Sequence, residues 1–239
     1  MAIEFVADKK TLLSLIQPAL AATSNRSTLP ALEGLLFRLQ DNLLTVCGYD
    51  LEKGVRTRGI VQPISEGAVI LNAQKVAAII KIFPDSDISF VADEKNMVKL
   101  SCGTSEFSIH GLTAEAFPNM PDLSGDNGFC ISQSLMKEII AGTCFAVSQL
   151  DTRPILTGEF FHIEDRSITA VALDNYRLAL REEKGCIFDN ENAFSFVVPG
   201  KSLNELQRLL GDNEEMLRVE FTAKYVIFKV GDIVLFSRL

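Results

Sequence analysis

The sequence predicts an α+β protein made of two copies of one domain, each copy two βαβββ units with helices on one face and antiparallel sheets on the other. Three observations predict it. The first is an internal repeat. Thr28, Pro30, Leu32, Gly34, Phe37, Asp41, Thr45 and Asp50 recur 124 residues later as Thr152, Pro154, Leu156, Gly158, Phe161, Asp165, Thr169 and Asp174. That is eight identities in an ungapped stretch of 23 positions, where ordinary composition gives roughly one or two. The second is a recurring order in which one helical stripe is followed by three strand-like runs. The third is a stretch near mid-chain, 113–128, that carries two prolines and two glycines and no helical or strand period.

Taken in order, residues 3–6 read as a strand. A helix over about 8–22 follows, with Leu12, Leu15, Ile16, Ala19 and Leu20 on one stripe. Strands near 33–40, 43–49 and 54–62 complete the unit, with Asp41-Asn42 turning between the first two. The pattern restarts with a strand at 69–71. A helix capped by Asn72 shows Val76, Ile79, Ile80 and Phe83 on its apolar face and is stopped by Pro84. Strands near 87–92, 96–102 and 105–111 close the first domain.

The second copy repeats the order. A strand at 129–131 leads to Ser132 as N-cap, and a helix to about Phe145 shows Leu135, Ile139 and Ile140 inward. Strands near 157–164, 167–173 and 177–183 follow, then a strand at 194–198. A helix over about 201–210 places Leu203, Leu206, Leu209 and Leu210 inward with Gly211 as its stop. Strands near 216–221, 225–230 and 233–238 end the pattern. The expected division is a first domain at 1–118, a linker at 119–128 and a second domain at 129–239. The abrupt end at Ser237-Arg238-Leu239, within or just after a strand, predicts a truncated chain.

Composition narrows the functional classes. The chain has 239 residues, 47% of them hydrophobic, enough for a core in each half. No apolar run reaches the ~18 residues of a membrane span, and the N-terminus lacks a secretory pattern. The five scattered cysteines form no C-x-x-C and read as reduced thiols of a cytoplasmic protein. Net charge is −8, which taken alone argues against nucleic-acid binding. The distribution of that charge points the other way. The four predicted helices carry Lys9, Lys10, Lys75, Lys81, Lys137, Lys201 and Arg208 against Asp8, Glu138 and Glu205, a helix layer at +4 and a remainder at −12. Such a layer can face a polyanion through weak, salt-sensitive contacts, although lysines also decorate any solvent-facing helix.

Catalytic readings find little support. Neither His110 nor His162 has a metal-ligand partner at ligand spacing, and no P-loop, nucleophile elbow or dinucleotide fingerprint is present. No cofactor or metal is expected. Asp50 and Asp174 invite an acid–base reading, but as twins in a repeat they are better explained as braces of a turn. An enzyme on a duplicated α+β scaffold, with a cleft at the domain junction, and an interaction module unconnected with DNA remain the alternatives.

Specific residues carry a family resemblance across the whole chain. Arg26-Ser27-Thr28-Leu29-Pro30-Ala31-Leu32, Phe117-Pro118-Asn119-Met120-Pro121-Asp122, Thr152 to Gly158, Ala172 to Ala179 and Val198-Pro199-Gly200-Lys201 are similar, in order, to motifs of the bacterial DNA polymerase III beta subunit, the sliding clamp. The resemblance implies repeated DNA-clamp domains and no catalysis. It implies a two-chain ring around duplex DNA that tethers the replicative polymerase and gives processivity. The family has three such domains per chain, so the third is expected to be absent here, leaving the homodimer ring unclosed and an unpaired edge near Phe107 to Gly111.

The resemblance also implies sites. Leu156, Leu173, Tyr176, Arg177 and Leu178 match the family's hydrophobic pocket for linear motifs of the replicative polymerase, the clamp loader and repair polymerases. Arg26, Lys75, Gln149 and Lys201 fall at or beside positions that touch DNA without regard to sequence. The two copies diverge after the shared aspartate, with Leu51-Glu52-Lys53-Gly54 in the first and Asn175-Tyr176-Arg177-Leu178 in the second. A function specific to copy two is expected there.

Overall fold

The computed structural model describes residues 3–24, 27–125, 127–150, 153–189 and 193–239. It divides into two compact units, Met1–Pro121 and Asp122–Leu239.

In unit 1, β1 (Glu4–Asp8) runs into α1 (Lys9–Leu20), then β2 (Gly34–Gln40), β3 (Leu43–Tyr49) and β4 (Lys53–Ile60). A short β5 (Gln62–Ser65) precedes the second half: β6 (Gly67–Asn72), α2 (Ala73–Ile82), β7 (Asp87–Ala92), β8 (Met97–Cys102) and β9 (Ser105–His110). The halves exchange their first strands. β1 pairs with β7 of the second half, in a sheet ordered β5-β1-β7-β8-β9. β6 pairs with β2 of the first half. Neither half can therefore complete its sheets without the other, which makes the unit, not the half, the folding entity.

Local sequence explains the helix starts. Asp8 accepts from the Thr11 backbone N–H at 2.9 Å and Asn72 from that of Lys75 at 3.1 Å, each satisfying a donor the first turn leaves open. Leu12, Leu15, Ile16 and Ala19 are the buried stripe of α1. On α2 the buried face is Ala73, Val76, Ala77 and Ile80, and Ile79 lies at its half-buried margin. Helix and sheet approach closely at Gly48, where an added Cβ would stand 2.1 Å from the Ala19 carbonyl oxygen. Phe5 stacks on Phe90 at 4.6 Å, and Phe37 closes on the same ring at 5.4 Å.

Unit 2 repeats the plan. β11 (Asn127–Ser132) leads to α3 (Gln133–Thr143), then a 3₁₀ turn at Pro154–Thr157, β12 (Gly158–Glu164), β13 (Ser167–Leu173) and β14 (Leu178–Glu183). The second half is β15 (Phe194–Pro199), α4 (Gly200–Leu209), β16 (Met216–Phe221), β17 (Tyr225–Val230) and β18 (Ile233–Arg238). The same exchange holds: β15 joins β14-β13-β12, while β11 pairs with β16. An aromatic cluster of Phe129, Phe194, Phe196 and Phe221 fills the space between them, with ring centroids 4.6–6.3 Å apart.

The structure alters several sequence expectations. β5 is an extra edge strand and β10 (Leu112–Thr113) a short one, followed by a 3₁₀ turn at Ala114–Ala116, so the stretch expected to lack structure begins with ordered turns. β11 starts at Asn127 rather than 129, and Phe117 and Leu123, within the stretch 113–128 expected to lack a helical or strand period, are buried. Met136, not Leu135, is the buried residue of α3, and Leu209 is only half-buried on α4. Gly211 does not stop α4 by a left-handed turn. The helix ends with Leu210 in extended conformation, and the Gly211 N–H donates to Gln133 Oε1 at 2.9 Å. Thr152 lies outside the described residues.

Candidate functional site

The repeat allows each unit to serve as the other's control. Asp50 and Asp174 do the same local work. Asp50 Oδ1 accepts from the backbone N–H groups of Glu52 (3.0 Å) and Lys53 (2.7 Å). Asp174 Oδ1 accepts from those of Tyr176 (2.8 Å) and Arg177 (3.0 Å). Both carboxylates thus pin the turn that follows the third strand of their half. The hydrogen bond from Tyr176, with those from Arg177, holds the Asp174 carboxyl below the usual carboxylate range. Asp174 therefore stays ionised near neutrality, as a brace requires and a general acid does not.

What the turn presents differs. In unit 1, Tyr49 faces Gly54 across β3 and β4, and both are buried. In unit 2 the same register sets Leu173 against Leu178, 37% and 64% exposed. Tyr176 stands 95% exposed at the tip. Arg177 is clamped from two sides. Its Nε donates to Asp174 Oδ2 at 2.9 Å, and its guanidinium lies 5.7 Å from the centre of the Phe145 ring. That distance is within reach of a cation–π attraction.

Leu156 is half-buried in the 3₁₀ turn, whereas its twin Leu32 is buried. Its carbonyl accepts from the Ser148 N–H at 2.8 Å, tying the loop after α3 to the start of β12. The five residues expected in a partner pocket are therefore solvent-accessible to different degrees, and Leu173, Arg177 and Leu178 share one hairpin.

Two further large apolar residues of unit 2 are exposed, and one of them, Phe145, lies under Arg177. Phe145 and Ile155 are 58% and 70% exposed. Their twins at the 124-residue offset are Ala21 and Ala31, and Ala31 is buried. Replacing a small residue by a large exposed apolar one in only one copy was a signal available in the sequence.

Beneath the surface lies an unusual carboxyl. Glu159, the twin of buried Leu35, is wholly buried on β12. Its Oε1 is hydrogen-bonded to the Thr143 hydroxyl oxygen at 2.5 Å, and its Oε2 has no hydrogen-bond partner. Burial pushes its pKa up to about 7, against the pull of the Thr143 bond. Burial, with the nearby Glu159 carboxyl, pushes the Cys144 thiol up to about 12, so it stays protonated. Among the described residues Cys47 and Cys102 are also buried free thiols.

Of the residues expected at DNA, Lys75 sits in the first turn of α2 and Lys201 in that of α4, both exposed, and Gln149 is exposed in the loop after α3. Arg26 lies outside the described residues. Three helix bases are committed elsewhere: Lys9 to Asp85 (3.3 Å), Lys137 to Asp212 (2.7 Å) and Arg208 to Glu205 (2.9 Å). Among the described residues, Lys10, Lys75, Lys81 and Lys201 have no carboxylate within ion-pair distance and remain exposed.

The reading of His162 needs correction. It has a carboxylate neighbour, Glu164 Oε2 at 3.3 Å from Nε2, and Ser195 Oγ lies 2.8 Å from Nδ1. Residues i and i+2 on a strand share a face, so the spacing did permit the pair. Among the described residues no cluster of three or more His, Cys, Asp or Glu side chains is arranged to hold a metal ion, and no helix is long and apolar enough to cross a membrane.

Comparison with known proteins places both units in one family. Residues 3–121 match the family model of the DNA polymerase III beta subunit, N-terminal domain, and residues 130–239 match that of its central domain. The chain is 35% identical to the beta sliding clamp of Halalkalibacterium halodurans and 32% identical to that of Bacillus subtilis, covering 98% and 99% of itself. It spans 64% of the length of these curated relatives. A crystal structure of the DNA polymerase sliding clamp from Bacillus subtilis superimposes with a TM-score of 0.95 at 31% identity, covering 100% of this chain and 65% of that one. A Pseudomonas aeruginosa sliding clamp bound to griselimycin superimposes at 0.92 with 26% identity, again over 100% of this chain and 65% of the other.

Proposed function

We propose that this chain, which belongs to the DNA polymerase III beta subunit family, supplies the first two domains of a DNA sliding clamp. The clamp encircles duplex DNA without reading its sequence. It raises processivity by tethering the replicative polymerase, and its chemistry is topological rather than catalytic. The fold class, two repeated α+β clamp domains, is that of its solved relatives.

The second unit carries the partner site in this reading. Leu156, Leu173, Tyr176 and Leu178 supply apolar anchors for a linear motif of the polymerase, clamp loader or a repair polymerase, and Arg177 orients the peptide by its charge. Binding energy at such sites concentrates in a few apolar or aromatic anchors and a well-placed arginine. The observation that carries the reading is the asymmetry between copies: buried Gly54 in unit 1 against Leu178, 64% exposed, in unit 2. A scaffold role predicts similar burial at both positions, and a binding role does not.

The DNA face is assigned to the helices. Lys75 and Lys201 occupy corresponding first turns, where the helix dipole disfavours a cation, so local helix stability does not account for them. With Arg26 and Gln149 they offer long polar side chains suited to phosphate contact.

The test is fluorescence anisotropy of a labelled peptide from the clamp-binding segment of a replicative polymerase. It is titrated with the parent and with Leu178→Gly, which restores the residue of copy one. Saturable binding by the parent and at least a tenfold loss in the variant, about 1.4 kcal/mol, supports the assignment. Equal affinity in two folded proteins removes it.

A further inference from the structure

The same comparison between copies isolates a second specialised surface, this time in unit 1. On the face of β2, β3 and β4 away from the helices, Arg38 stands opposite Thr45, and Thr45 opposite Arg58, in one row across three strands. Arg56 stands opposite Cys47 one step along. Neighbours in such rows lie about 5 Å apart at Cβ, so three guanidinium groups reach one patch. The equivalent positions in unit 2 are His162, Glu182 and Leu180. The shared scaffold therefore does not require the arginines.

Among the described residues none of the three arginines forms an ion pair, whereas Arg177, Arg181, Arg208 and Arg218 all do. Arg56 Nε is buried with no acceptor. Burial, and then the charge of Arg58, depress the Arg56 guanidinium, and no carboxylate offsets them. Cys47 feels all three arginines, yet burial still pushes its thiol up to about 11, so it remains neutral. Glu66 and Glu115 line a cavity of about 320 Å³ on one side of Arg38 and remain charged, but neither forms an ion pair with it. In a chain of net charge −8, this is a local reversal of sign with an orphaned donor at its centre.

We propose that Arg38, Arg56 and Arg58, with the Thr45 hydroxyl between them, form a binding site for a phosphoryl group on the outer sheet face of unit 1. Two exposed guanidinium forks can each hold a phosphoryl oxygen in bidentate fashion. The half-buried Arg56 supplies a preorganised donor beneath them. The site lies on the sheets rather than the helices and stands on unit 1 alone, so it does not depend on the partner-peptide reading.

The experiment records the arginine Nε–Hε signals of the full chain by ¹H–¹⁵N NMR while inorganic pyrophosphate is added at constant ionic strength. Saturable shifts at Arg38, Arg56 and Arg58, with Arg208 unmoved, are expected. Arg38→Gln and Arg58→Gln, both at exposed positions, should each weaken binding roughly tenfold, and Arg208→Gln should not. A short single-stranded oligonucleotide, added to the Lys75→Glu/Lys201→Glu protein, identifies the source. Tighter binding than pyrophosphate assigns a phosphodiester, and weaker binding a free phosphate compound. Absence of saturation at the three arginines, uniform shifts at every arginine, or unchanged affinity in both glutamine variants overturns the site.

Discussion

Asp174 holds Arg177 at both ends: Oδ1 accepts from its backbone N–H at 3.0 Å and Oδ2 from its Nε at 2.9 Å. The twin Asp50 makes the backbone bond to Lys53 at 2.7 Å. One shared turn brace has thus become, in copy two, a device that also holds a guanidinium over the Phe145 ring.

Asp174→Ala should release Arg177 and lower affinity for a polymerase peptide by about tenfold, the scale of one well-placed hot-spot contact. Asp50→Ala, which loosens the equivalent turn in unit 1, should leave affinity unchanged. Anisotropy titrations of the two variants, with circular dichroism to confirm folding, check the pair. Equal losses in both would mean that the turns matter only for stability.

Phe145→Ala should also weaken the peptide, by several-fold, because the ring supports Arg177 at 5.7 Å and such exposed contacts contribute about 0.5–1 kcal/mol. A double-mutant cycle with Arg177→Ala measures the coupling. Strict additivity would show that Phe145 acts independently of the arginine.

Glu159 makes the stability of unit 2 fall as pH rises. Its pKa is about 7 in the folded chain against an ordinary 4.5. Below the lower value both states are protonated and ionisation of the residue costs nothing. Between the two, the folded chain holds a proton that the unfolded chain releases, so stability declines. Above about 7 the full cost applies, about 3 kcal/mol at ~1.4 kcal/mol per pH unit. Glu159→Leu, restoring the twin residue, should remove this slope and raise stability at pH 8 while Thr143 keeps its 2.7 Å bond to the Ile139 carbonyl. Urea melts at pH 5 and pH 8 read the effect directly. A parent as stable at pH 8 as at pH 5, relative to the variant, contradicts it.

Lys75→Glu with Lys201→Glu should weaken residual duplex binding at low salt and flatten the slope of log affinity against log salt by roughly 2, about 0.9 for each lost phosphate contact. Filter binding across a salt series provides the slope. An unaltered slope would remove the two helix starts from the DNA face.

The repeated α+β architecture was legible because helix stripes and strands answer to local periodicity, and the 124-residue repeat let each half check the other. The braces at Asp50 and Asp174 were legible for the same reason. What escaped depended on tertiary context. Gly211 carries a helix-stop signal, but Gln133 captures its N–H and the chain exits α4 extended at Leu210. Glu159 reads as a polar strand residue, and only the packed unit shows it fully buried beneath Thr143. The arginine row of β2–β4 needs strand register before Arg38, Arg56 and Arg58 become neighbours. Phe145 and Ile155 were visible in principle, since their twins are alanines, but they lie before the shared aspartate, away from the turn where the copies part most plainly.

Specialisation of copy two as the partner site is read out by hydrogen–deuterium exchange of the chain, free and saturated with a polymerase peptide. Protection should concentrate in the segments 144–157 and 173–180, with α2, α4 and the equivalent turn at 50–54 unchanged. Protection of the unit 1 turn, of the helix faces, or of no segment at saturation would contradict it.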